Sequence, residues 1–72
     1  MKVRIELNTM SDVTDFVAIV SKHPGQVYLS DDKHQQICAK SQLGAILAKM
    51  EWENIYCVCE DDISGKILRF IV

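Results

Sequence analysis

Cys38-Ala39-Lys40-Ser41-Gln42-Leu43-Gly44-Ala45-Ile46-Leu47 places a serine where a short strand gives way to a helix. Leu43, Ile46, Leu47 and Met50 recur at helical spacing after it, and the polar residues before it end a strand. At that junction a serine side chain accepts a hydrogen bond from a free amide of the first helical turn. The same amides, together with the positive end of the helix dipole, would receive a phosphate if Ser41 were modified. Both a plain capping role and a regulatory one are open for this residue. Gly44 weakens the helix by up to about 1 kcal/mol relative to alanine, so close packing is the expected reason for it.

Working outward, the periodicity changes in a clear order. Val3, Ile5 and Leu7 alternate with charged residues as a strand with one buried face. Val13, Phe16, Val17 and Val20 make one stripe of a helix, with Ser11 as the expected N-cap and with Asp12 and Asp15 near the positive end of the dipole. Pro24 and Gly25 stop this helix by His23. Val27 and Leu29 flank Tyr28 in a second strand, Ser30-Asp31-Asp32-Lys33 supplies turn chemistry, and His34 to Cys38 returns as a polar third strand. Asn54 to Glu60 is a strand with apolar residues on both faces, as a central strand has. Beyond it, Asp61 or Asp62 would cap a helix with the stripe Ile63, Ile67 and Phe70 or Ile71. A strand over residues 67–72 is the competing reading, and Gly65 counts against the helix.

The expected fold is α+β, a two-layer open-faced sandwich in which helices cover one face of a mainly antiparallel four-stranded sheet. The expected core is Val3, Ile5, Leu7, Phe16, Val17, Val20, Val27, Leu29, Leu43, Leu47 and Ile55. Trp52 is expected to finish that core rather than to project as a contact anchor.

At 72 residues the chain has room for one domain, residues 1–72, and a hydrophobic content of 49% argues for a packed globule. A net charge of −2 with mixed signs gives no reason to expect nucleic acid or anionic lipid as a partner. No apolar stretch approaches the roughly 20 residues of a membrane span, and the polar start is unlike a signal peptide, so a cytoplasmic protein is expected. Cys57 and Cys59 share one strand face, yet a single C-x-C with Cys38 as third ligand lacks a defined fourth ligand. Three free thiols in a reducing compartment is the simpler expectation, with no metal and no cofactor. His23 and His34 are expected at the surface. The glycine-rich phosphate loop, the G-x-S-x-G elbow and the H-E-x-x-H helix are all missing, and Glu60-Asp61-Asp62 lacks the spaced ligands of a calcium loop, so no catalytic residues and no enzymatic activity are expected.

The segment Ala39-Lys40-Ser41, an apolar residue two positions on, then Gly44 and a small apolar helix resembles the regulatory-serine segment of HPr, the phosphocarrier family of the bacterial sugar phosphotransferase system. The likeness runs from Val3 to about Asp62 and implies a βαββαβα order. It fails at the phosphocarrier motif. When Phe16-Val17 is matched to the family's Phe-Val pair, the histidine falls on Thr9 and the following Thr-Arg-Pro falls on Met10-Ser11-Asp12. A phosphohistidine needs a nucleophilic ring nitrogen and a cation to offset the phosphate, and Asp12 brings the opposite charge. The resemblance therefore implies a non-catalytic, regulatory protein that binds a protein partner, a serine kinase or a regulator, with Ser41 as the modified residue. Lys40, Gln42, Ala45 and Ile46 would make the partner surface, Gln42 replacing a usually apolar residue. Two alternatives stand beside this reading: a structural or oligomerising module on the same fold, and a thiol or metal site using Cys57 and Cys59.

Overall fold

The computed structural model describes residues 1–72 and runs β1 (Lys2–Ile5), α1 (Met10–Ser21), β2 (Val27–Ser30), β3 (Gln36–Cys38), α2 (Gln42–Glu51) and β4 (Ile55–Cys59). The four strands form one antiparallel sheet in the order β1-β4-β2-β3. The register puts Ile5 opposite Ile55, Leu29 opposite Cys57 and Val27 opposite Cys59, so one face of the sheet is a continuous apolar surface. Val13, Phe16, Val17 and Val20 of α1 are buried in the same core. The other face carries Lys2, Arg4, Tyr28, Tyr56 and Val58 and has no covering layer. Strand β4 lies between β1 and β2, in keeping with its apolar residues on both sides. Val3, near the sheet edge, is half-buried rather than central. No helix is long and apolar enough to cross a membrane.

Helix α1 starts two residues earlier than Ser11 would allow. Thr9 is its N-cap: Thr9 Oγ1 accepts from the Asp12 amide at 3.0 Å, and the Asp12 carboxylate accepts from the Asn8 amide at 3.0 Å. This reciprocal pair resembles a capping box and satisfies two amides at once, which a cap at Ser11 would not. At the far end the His23 amide still donates to the Val20 carbonyl, and Pro24 stops the chain from continuing.

Helix α2 is turned away from the expected orientation. Ala45 and Ala48 are fully buried, whereas Leu43, Leu47 and Met50 are 75%, 53% and 74% exposed. Leu43 and Leu47 therefore leave the core list. Two stripes run along this helix, and the small one faces inward because it brings the helix closest to its neighbours. A Cβ at Gly44 would lie 3.2 Å from Ile37 Cδ1 of β3, tighter than ordinary contact, so the glycine permits that approach. Trp52, the C-cap residue, is half-buried and packs against the core.

The third helix is absent, and so is the strand proposed over residues 67–72. Ser64 folds back on Asp62, its amide and hydroxyl donating to Oδ1 at 3.0 and 2.6 Å, and turns carry the chain to a single 3-10 turn at Leu68–Phe70. Ile63, Ile67 and Phe70 still reach the core, so their helical spacing reflects burial without helical backbone. Phe70 meets Phe16 edge to face, with centroids 5.4 Å apart. The tail then runs beside β1: Glu6 donates to the Phe70 carbonyl at 2.8 Å, Ile71 bridges Ile5, and Val72 donates to the Arg4 carbonyl at 3.1 Å. Arg69 holds this strap on α1 through Asp15 at 2.9 Å and Asp12 at 3.7 Å.

Candidate functional site

At the start of α2, Ser41 is exposed and caps the helix, its Oγ accepting from the Gly44 amide at 3.1 Å. The segment is fixed on both sides, since the Ser41 amide donates to the Cys38 carbonyl and the Ala45 amide to the Ser41 carbonyl. Gln42 is exposed and reaches across to α1, Nε2 donating to Thr14 Oγ1 at 3.2 Å. Lys40 is half-buried and spends its ammonium on the His23 carbonyl. Ala45 offers no surface at all, because it sits in the α2 stripe that packs inward, and it drops out of the expected partner patch. Ile46 is half-buried and packed against the core. The apolar surface of this helix is carried by Leu43, Leu47 and Met50, so Leu43 and Leu47 lie outside the core expected for them.

At the start of α1 two polar groups are already engaged. Thr9 Oγ1 is engaged as a cap, and Asp12 stands beside it with Arg69 on its outer side.

A second group of chemistry-bearing residues gathers where α1 ends and β4 leaves the sheet. His23 is only 7% exposed, which corrects the surface position expected for it; His34 is exposed. Residue 23 continues the stripe of Val13, Phe16 and Val20 by one more step of three, a signal present in the sequence. His23 Nε2 is hydrogen-bonded to Asp61 Oδ2 at 2.9 Å, while Nδ1 is buried with no partner. Cys59 is buried alongside: one ring nitrogen, Cys59 Sγ and an Asp61 carboxylate oxygen all lie within 4.8 Å of one another. Gly25 makes room for the pair, since a Cβ there would stand 3.1 Å from His23 Nε2.

The cysteines divide accordingly. Cys57 is deep in the core, and burial, helped by a neighbouring Cys59, pushes its thiol up to about 12, so it remains a neutral apolar group. Cys38 is exposed and stands opposite Tyr28, on the sheet face away from Cys57 and Cys59, so the three thiols do not converge.

No protein-family model, no curated protein and no solved structure matches this chain.

Proposed function

We propose that this chain is a non-catalytic HPr-like protein related to the sugar phosphotransferase system, acting by binding a protein partner through α2 and regulated at Ser41. The observation that carries the reading is the outward row of Leu43, Leu47 and Met50 directly after the Ser41 cap. Large apolar side chains at i, i+4 and i+7 on a helix that already buries its small stripe form a continuous apolar ridge of the kind that marks contact surfaces. The order strand, helix, strand, strand, helix, strand supports the family likeness, and the capped, acidic surroundings of Thr9 support loss of the histidine step.

A phosphate on Ser41 would add roughly −1.5 to −2 charges at the end of that ridge while gaining contacts with helix amides, so it would alter the surface without unfolding the domain. The test is incubation with an HPr serine kinase and a phosphate donor, read by intact mass. One phosphate is expected on the native chain and none on Ser41→Ala. An unmodified chain under conditions that fully modify HPr would remove the regulatory reading. The oligomerising alternative uses the same ridge, and sedimentation separates the two: a dimer broken by Leu47→Lys would assign the ridge to self-association.

A further inference from the structure

We propose that His23, Cys59 and Asp61 bind a divalent transition-metal ion of the zinc class, a site separate from the partner surface on α2. Two segments far apart in sequence bring the donors together. His23 follows the Lys22 C-cap of α1, Cys59 ends β4, and Asp61 comes two residues later. The pairing of Val27 with Cys59 pins the chain after His23 to the end of β4, so the cluster is set by the sheet register and not by a mobile loop. Donor atoms from all three residues lie within 4.8 Å of one another, a span that small side-chain rotations would reduce to ligand distances.

The hydrogen bond between His23 and Asp61 does not by itself account for the site. A carboxylate can only accept, so Nε2 donates in that pair, and an ion held by Nε2 and the Asp61 oxygen together would stand in the place of that proton. Nδ1, on the other side of the ring, is buried and unpartnered, so no fixed partner opposes the ring carrying its proton there when an ion holds Nε2. Cys59 lines the core edge beside this imidazole, and glycine at position 25 clears space next to Nε2, the nitrogen that faces Asp61.

The chemistry selects the ion. Imidazole and thiolate are borderline and soft donors that suit zinc-class ions, whereas calcium and magnesium require shells of oxygen. With the thiolate and the carboxylate ionised, the ligands carry two negative charges, which a divalent cation neutralises. On binding, the Cys59 S–H bond breaks, sulfur keeps the electron pair and donates it to the metal, and the proton leaves to solvent; the ring proton passes from Nε2 to Nδ1 by exchange with solvent, so that Nε2 donates its lone pair to the metal. The two ammonium groups that face this region, those of Met1 and Lys40, are held on the carbonyls of Cys59 and His23. Asp61 is the open side of the site, its side chain 66% exposed, so an ion enters without unfolding the core.

The test uses the full chain, stripped with chelator, kept reduced with a non-thiol reductant and titrated with Co²⁺ as a spectroscopic probe. We expect one equivalent to bind with a thiolate-to-cobalt charge-transfer band, and Zn²⁺ to displace it. Cys38→Ser should keep that band, which excludes the exposed thiol as its source, and Cys59→Ser should lose it. Asp61→Asn should weaken Co²⁺ binding by at least about tenfold, the lower end of what even outer-sphere partners of a metal ligand cost. Because the Asp61 side chain is exposed, this variant keeps its fold and decides the question even if Cys59→Ser does not fold. Absence of the band in the native chain, its loss in Cys38→Ser, or undiminished affinity in Asp61→Asn would each overturn the proposal. The outcome is independent of whether a kinase acts on Ser41.

Discussion

A single hydroxyl at position 41 closes the first turn of α2, and its replacement measures what that closure contributes. Ser41→Ala removes the acceptor of the Gly44 amide and should destabilise the fold by about 1 kcal/mol. Ser41→Asp keeps an acceptor and adds a negative charge at the favourable end of the dipole, so it should be close to neutral. Chemical denaturation of the two variants checks this, and an unfolded Ser41→Asp would remove capping and phosphate tolerance together. Asp31 is a second residue with a legible task. Its Oδ1 accepts from the amides of Lys33, His34 and Gln35 at 2.9, 3.1 and 3.0 Å, shaping the turn that leads into β3. The Gln35 amide first and then the Lys33 amide hold its carboxyl below the ordinary aspartate value. A lowered folded pKa stabilises the turn at pH values above the ordinary aspartate range, and this contribution is lost as pH falls through the lowered value. NMR titration should show the three amides moving together below the usual aspartate midpoint; a common midpoint at the usual value would contradict the assignment.

At the scale of the element, α2 shows how an amphipathic pattern can be read correctly as a helix and wrongly as a face. Its two stripes are both apolar, and hydrophobicity ranks the larger one as core. Packing distance ranks them the other way, because Gly44, Ala45 and Ala48 allow the helix to lie close against its neighbours. Leu47→Ala should therefore cost less than about 1 kcal/mol, whereas Ala48→Leu should cost about 1–3 kcal/mol by overpacking. Thermal or denaturant unfolding of both decides it, and the reverse order would put the leucines back inside. The strands were easier to read, since alternation at Ile5 has only one inward solution, and β4, apolar on both faces, declared itself a central strand. Ile63, Ile67 and Phe70 carried a true burial signal, but three anchors cannot distinguish a helix from turns that deliver the same side chains. The cluster at His23 was only half visible: its place on the α1 stripe is in the sequence, while its meeting with Cys59 and Asp61 depends on the order of strands.

Across the whole molecule, Phe16 and Phe70 tie the first helix to the last segment, and Phe70→Ala should cost about 3–5 kcal/mol, comparable to Phe16→Ala. A loss below about 1 kcal/mol in equilibrium unfolding would mean that the tail is only loosely attached. The placement of that tail against β1 also bears on how the chain reaches its fold. β1 pairs with β4 and meets Ile71, at the greatest sequence separation of any pairing in the sheet. Pairing over such separations is slow because the loop has to close before contacts reward it. Until it closes, α1 and the β2–β3 hairpin can form only as fluctuating fragments, with the apolar face of the sheet incomplete. The docking of β1 between β4 and the Ile71 strap is thus the clasp that commits the domain to its fold.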